Sequence, residues 1–395
     1  VEEISNIRLG YTGRFVDDSF KATEYNLTVE HASDFPSLDG FLLDDYYNRD
    51  NLSSGWFKIQ KNVDKYTVTK NIHSAYAEAT YQFTSRWIVN LGLKYDYVDI
   101  NVDYNVNRGG SEGRNTIRKD YFLPSLNLKY NLNEKHSLRL GASKTYTLPQ
   151  AKEISPYRYV GVNFNSQGNP NLKPSDNYNF DLKWDFNPSP TELVSLTAFY
   201  KHIKDPISRI EVASAGGYLS YENISDRATV AGVEVEIRKN LFVRPLSSAA
   251  NGMNKLSFGL NGSYIYTNAK MPLATVTTGS QLEGAAPWIA NFDLSHHFTR
   301  DERSFVNTLV LNYVSDKIYT IGTQGYQDIM ERGLVTLDFV SQARLNKYLS
   351  LNLKARNLLN PSHKLSRKAN ESGEKVVLGD YKKGINISLG VSCTF

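Results

Sequence analysis

The chain reads as all-β, an antiparallel transmembrane β-barrel, on three observations. Segments of ten or more residues alternate apolar and polar side chains with period two. Aromatic residues gather at the ends of those segments. The connections between segments alternate between short and long. Successive side chains of a strand point to opposite sheet faces, so a strand between lipid and a polar lumen must alternate in this way.

The last segment is the cleanest. In GINISLGVSCTF, residues 384 to 395, Ile385, Ile387, Leu389, Val391, Cys393 and Phe395 share one face, and Asn386, Ser388, Gly390, Ser392 and Thr394 share the other. A soluble chain rarely ends in a fully patterned strand, because termini fray. A barrel needs its last strand to close the sheet. The stretch resembles the C-terminal insertion signal of Gram-negative outer-membrane proteins. Ile385, Ile387, Leu389, Val391 and Phe395 are therefore expected to form a membrane-assembly signal.

The alternation recurs upstream. Trp87, Val89, Leu91, Leu93, Tyr95 and Tyr97 oppose Asn90, Gly92, Lys94 and Asp96. Tyr178, Phe180, Leu182, Trp184 and Phe186 oppose Asn179, Asp181, Lys183 and Asp185. Ala231, Val233, Val235 and Ile237 oppose Glu234, Glu236 and Arg238. Leu256, Phe258, Leu260, Tyr264 and Tyr266, and later Leu349, Leu351, Leu353 and Ala355, repeat the apolar face. About fifteen such segments reach the length a tilted strand needs to cross a bilayer. A soluble sandwich also alternates, but its strands are shorter and its apolar faces meet in a core. No run is long enough for a transmembrane helix.

Composition agrees. The 395 residues include 26 Tyr, 18 Phe and 4 Trp, and a formal net charge of +4 is well mixed and gives no reason to expect nucleic acid. Mean hydropathy is low, as it must be when only every second strand residue meets lipid. Cys393 is the only cysteine, so no internal disulfide is possible.

The short connections are 84–86, 131–135, 187–191, 299–303 and 346–348, with a longer link at 241–254. The long ones are 33–65, 104–117, 149–175, 205–227, 268–286, 316–332 and 360–383. Short turns face the periplasm in such barrels and long loops face outside. The final strand then runs toward the periplasm. The strand count comes out odd, whereas a closed single-chain bacterial barrel is even. No signal peptide opens the chain.

Several motifs point to one family. GNPNLKPSDNYNFDLKW (168–184) resembles the Gly-Asn-Pro-x-Leu-x-Pro-Glu segment of TonB-dependent outer-membrane receptors, with Ser175 in place of the usual Glu. YTLPQAKEISPYRYV (146–160) resembles the Arg-Pro…Glu-Leu-x-Pro run of Bacteroidetes-type members, with Leu148 in place of Arg. LNLKARNLLNPSHK (351–364) is similar to the family's penultimate strand, and residues 73–97 to its paired central strands. The resemblance implies a plug inside a barrel of 22 strands. Residues 1–395 are then expected to be the C-terminal part of the barrel, about 15 strands, with the plug domain and first strands absent. It implies energised uptake of a siderophore, haem, vitamin, peptide or glycan at the Gram-negative outer membrane. The implied partners are outer-membrane lipid, the TonB complex acting through the plug, a small nutrient and a surface lipoprotein. The alternative is a passive porin or a surface adhesin. Lumen-facing charges of both signs count against an ion-selective pore.

The expected ligand contacts lie on two long loops: Tyr157, Arg158, Tyr159, Asn163 and Asn165 on one, Tyr218 and Tyr221 on the other, which also carries Asn223; a later loop offers Tyr319, Tyr326 and Gln327. Tyr and Asn offer rigid faces and hydrogen bonds. No metal and no cofactor is expected. The acidic run with Asp34, Asp39, Asp44, Asp45 and Asp50 lacks EF-hand spacing. Neighbouring His296 and His297 point to opposite faces and cannot share a metal. Asn26, Asn51 and Asn223 carry Asn-x-Ser/Thr spacing, which in this setting implies no glycosylation. No nucleophile elbow is present, so an enzyme is not expected.

Overall fold

The structure, a computed structural model, describes residues 5–29, 48–107, 111–161, 163–212, 217–246, 252–270, 281–369 and 372–394. Fourteen strands form one antiparallel sheet, each paired with the next wall strand along the chain. They are Ser5–Val29, Phe57–Gln82, Trp87–Val106, Ser111–Asn131, His136–Thr147, Ser175–Phe186, Leu193–Lys204, Arg227–Pro245, Met253–Ala269, Trp288–Arg300, Arg303–Val314, Leu334–Arg344, Leu349–Arg356 and Asn386–Cys393. Among the described residues the first and last of these do not pair with each other. Eight short strands lie in the long connections and form two small sheets.

The wall count is fourteen, not the expected fifteen, so the odd parity disappears. Half of the link at 241–254 is strand, paired from Arg227–Pro245 to Met253–Ala269 down to Pro245↔Met253. Strands also take in 57–65 of the connection expected at 33–65 and most of that expected at 104–117. Phe395 and most of the acidic run lie outside the described residues. The last strand ends beside a short turn: the Thr394 N–H donates to the Tyr348 carbonyl at 2.9 Å.

The expected faces are present. Ile7, Ala79, Leu91, Leu126, Ala142, Phe180, Tyr200, Ala231 and Tyr266 follow one another across nine wall strands by direct pairing. This face is apolar and open: Leu91 is 54% exposed and Leu93 51%. Ile385, Ile387, Leu389 and Val391 are also exposed, and so is Cys393. A sandwich would have buried them. The other face carries Asn90, Lys94, Asp181, Lys183, Glu234, Glu236 and Lys354, with local pairs such as Lys94–Asp96 at 2.9 Å.

Two aromatic belts bound the apolar band. Near the short turns, Tyr81 meets Phe83 at 4.6 Å between centroids, Trp87 stacks on Tyr130 at 4.3 Å, and His136 stacks on Phe186 at 4.4 Å. Toward the long loops lie Tyr11, Phe15, His73, Tyr95, Tyr97 and Phe122. There Tyr11 Oη and His73 Nδ1 are 2.7 Å apart, and the Tyr95 hydroxyl donates to Asp120 at 2.5 Å. Trp87 and Tyr97 are separated by about ten steps of ~3.4 Å on a strand tilted about 45°, or roughly 24 Å of height, which matches the band of an outer-membrane barrel.

Above the second belt the first four strands continue, and their chemistry inverts. Val98, Ile100 and Val102 face inward and are 0%, 2% and 0% exposed. Asp99, Asn101 and Asp103 now face outward, where Arg118 reaches Asp99 at 3.3 Å and Arg114 reaches Asp103 at 2.6 Å. The neighbouring strands invert at the same level: Tyr66, Val68, Ile72, Ile117 and Tyr121 are buried on the inner side. The outward side chains suit water where those below suit lipid, and a packed segment fills the inner side. That segment supplies Leu148, Ala151, Ile154 and Leu172, closing a small dry core above the membrane. Each fully buried aliphatic side chain there contributes roughly 1.5–3 kcal/mol.

Candidate ligand-binding site

The long loops fold into a cap. One sheet joins Arg158–Tyr159, Asn165–Gln167, Tyr218–Asn223 and Ile207–Val212. The other joins Lys317–Thr320, Ile329–Glu331, Ser362–Lys368 and Lys375–Lys382. A parallel bridge, Ile210↔Ile321, connects the first sheet to the loop that carries the second. Ile210, Ile224, Ala228, Ala269, Leu282, Ile318 and Ile321 pack beneath this junction as a second buried cluster.

The two loops expected to hold the ligand contacts are brought together. Tyr218 pairs with Asn165 in parallel register, and Tyr159 pairs with Ser166. The Arg158 guanidinium lies 5.6 Å from the Tyr218 ring centroid. Not all seven residues are equally free to meet a ligand. Tyr157 packs on Phe20 at 5.0 Å and on Tyr159 at 4.4 Å. The Tyr159 and Tyr66 hydroxyls are 3.1 Å apart. Burial pushes the Tyr159 and Tyr221 hydroxyls above their ordinary range. Asn163 is exposed, and Arg158 and Tyr218 are half-buried.

The Gly-Asn-Pro motif ties the cap down. The Asn169 N–H donates to the Glu153 carbonyl at 2.6 Å, and its side-chain amide donates to the Tyr221 carbonyl at 2.9 Å. Its Oδ1 accepts from the Asn171 N–H at 2.9 Å. Gly168 lies against the carbonyls of Ser155, Lys152 and Glu153, leaving no room for a Cβ. Asn223 bridges Lys173 and Asp205 through both ends of its amide. Asn223 is therefore engaged in holding the loops. The Pro and Asn residues of this run set turns and at the same time bind the 149–175 and 205–227 loops to each other.

Arg209 is a hub that the sequence reading missed. Its guanidinium pairs with Glu283 at 2.8 Å, donates to the Tyr319 carbonyl at 3.1 Å and lies 4.0 Å from the Tyr319 ring centroid. Burial pushes the nearby Glu153 carboxyl up; the Gln150 N–H opposes this and Glu283 adds to it. Arg367 pairs with Glu211 and lies 5.2 Å from the Tyr326 ring centroid. Partners 74 and 156 residues apart leave no spacing signal in the sequence. His296 and His297 remain on opposite faces, and His296 Nε2 lies 2.9 Å from Asn254 Oδ1. Among the described residues no three His, Cys, Asp or Glu side chains gather as a metal site.

Comparison with known proteins places this architecture. A 228-residue stretch is 25% identical to the iron-regulated outer membrane virulence protein of Vibrio cholerae, covering 55% of this chain and 32% of that protein. The siderophore receptor PiuA from Acinetobacter baumannii superposes with a TM-score of 0.58 at 13% identity, over 98% of this chain and 53% of that one. The ferric yersiniabactin uptake receptor FyuA from Yersinia pestis gives 0.57 at 13% identity, over 100% and 56%. The copper transporter OprC gives 0.59 at 13% identity, over 85% and 55%. The chain thus spans about a third of the length of the curated relatives it matches and about half that of the solved structures. The sheet belongs to the Gram-negative outer membrane. Residues 5–358 match the family model described as TonB dependent receptor-like, beta-barrel, and the chain belongs to that family.

Proposed function

We propose that this chain is the C-terminal part of the barrel of a receptor that takes up an iron chelate, with energy delivered by TonB through a plug. The observation that carries this reading is the combination of an apolar exterior, a lumen wall of mixed charge and a cap of tied loops. A lumen wall with both signs of charge can pair the polar surface of a plug, because charges removed from water need partners. Among the described residues the two edge strands lack wall partners, and strands in lipid need partners to satisfy their backbone groups. The iron-regulated and siderophore-receptor relatives favour an iron chelate over a vitamin, peptide or glycan.

Within the cap, Arg158, Asn163 and Tyr218 are the proposed ligand contacts, with Asn165 positioned by pairing to Tyr218. Tyr157, Tyr159 and Tyr221 support them from the dry core below. The Bacteroidetes-type subgroup and a surface lipoprotein partner belong to the same proposal, on the strength of residues 146–160 and 168–184.

The test is uptake of radiolabelled iron from a panel of chelates by cells expressing the receptor, with and without TonB. Accumulation that requires both is expected. Equal accumulation without TonB would reject the energised reading. Unchanged uptake after replacing Arg158, Asn163 and Tyr218 together by Ala would reject the contact assignment.

A further inference from the structure

The second loop sheet encloses a cleft of ≈ 370 Å³, within the size range of small-ligand sites. Its lining includes Arg332, Ser366, Arg367, Lys368 and Lys375, with Asp328 as the one carboxylate. Arg332 is balanced by Asp316 at 2.5 Å, and Arg367 by Glu211. Lys368 and Lys375 have no such close pair, although the Asp316 carboxylate acts on Lys375 from farther off. They stand directly opposite each other across the antiparallel pair, and among the described residues no carboxylate lies within 4.0 Å of either ammonium. Like charges placed opposite each other on a sheet are destabilising, so the pair costs the fold something unless an anion sits between them.

A second observation points the same way. Ser366 is 3% exposed, and among the described residues its hydroxyl has no hydrogen-bond partner. The Arg367 Nε is also buried and, among the described residues, without a partner. Leaving a buried donor unsatisfied is costly, and such groups are rare in folded proteins. Among the described residues that line or pair with the cleft, Arg332, Arg367, Lys368 and Lys375 face Asp316, Glu211 and Asp328 around these unused donors.

We propose that this cleft binds a small oxyanion: the phosphate or carboxylate group of a ligand arriving from outside. Lys368 and Lys375 supply charge, and the Ser366 hydroxyl donates a hydrogen bond from the floor. Failure of this cleft to bind would leave the transport reading intact, because that reading stands on the barrel and its relatives.

The experiment is calorimetric titration of the detergent-purified protein with inorganic phosphate and with citrate, at constant ionic strength in chloride. Saturable binding of at least one is expected; tighter phosphate binding identifies a phosphate-bearing ligand, and tighter citrate binding a carboxylate-bearing one. The double variant Lys368→Gln, Lys375→Gln should weaken it by about tenfold or more. Ser366→Ala should weaken it by about threefold to tenfold, with the melting temperature in chloride unchanged or higher. Absence of saturable binding by either anion would overturn the proposal. So would unchanged affinity in the double lysine variant, or a lower melting temperature of Ser366→Ala in chloride.

Discussion

The lower and upper halves of the Trp87–Val106 strand have the same backbone geometry and opposite side-chain logic. Below Tyr97, Leu91 and Leu93 face out and Asn90 and Lys94 face in. Above it, Asp99 and Asp103 face out and Val98, Ile100 and Val102 face in. Nothing in the strand changes except its surroundings. Lipid outside and a polar lumen inside require one phase of the alternation, while water outside and a packed loop inside require the other. The four tall strands carry both phases. The closing strands Leu349–Arg356 and Asn386–Cys393, with 8 residues each, carry only the membrane phase.

The sharpest way to break this contrast is to put a charge on the wrong side above the membrane. Ile100→Asp should destabilise the cap by about 3–5 kcal/mol, since it strands a charge in a dry core. The readout is protease cleavage within 149–175, with the heat-modifiable barrel band retained on gels. Leu91→Arg tests the lower half. It should cost about 2–4 kcal/mol and reduce folded barrel in the membrane, while cap protection in the surviving molecules is unchanged.

Gly168→Ala comes next. Its Cβ would meet the Ser155 and Lys152 carbonyls, so a cost of about 1–3 kcal/mol is expected. The effect should appear as cap proteolysis and not as lost barrel.

Asp316 gives a pH test. Burial works to raise its carboxyl, but the Gly333 N–H and the Arg332 guanidinium outweigh burial, and the group titrates below its ordinary 3.8. A depressed carboxyl contributes stability that is present above the unfolded value and is lost as pH falls through the folded one. Protection of the 316–332 loop should therefore hold down to about pH 4 and fall only below it. Asp316→Asn should flatten that dependence. Cleavage that rises with increasing pH instead would contradict the sign.

The smallest effect belongs to the outward positions above the belt. Asp103→Leu removes a solvent-exposed pair and should leave stability essentially unchanged.

The membrane phase was legible in the sequence because one period, one apolar face and aromatic ends all agree in segments such as 87–97 and 384–394. Orientation followed from the short turns, and the family from the motif order. The upper phase was not legible in the same way. Val98, Ile100 and Val102 continue an alternation whose sense depends on a loop some fifty residues later, so the tall hairpins were read as ending early and 104–117 as a long connection. The convergence of the Tyr157–Asn165 and Tyr218–Tyr221 segments was foreseeable only as two aromatic loops on one side. Their division into packed and accessible residues depends on Phe20 and Tyr66, which are far away in the chain. Arg209, Glu283 and Arg367 likewise acquire meaning only through their partners.

The central claim is that the phase inversion at Tyr97 marks the outer membrane surface. In a Cys393→Ser background, single nitroxide labels at 89, 91, 93, 99, 101 and 103 would be compared for collision with oxygen, which concentrates in lipid, and with a water-soluble nickel chelate. Positions 89, 91 and 93 should favour oxygen and 99, 101 and 103 the chelate, with the crossover between 93 and 99. Lipid-like behaviour persisting through 103, or water-like behaviour at 91, would contradict the account.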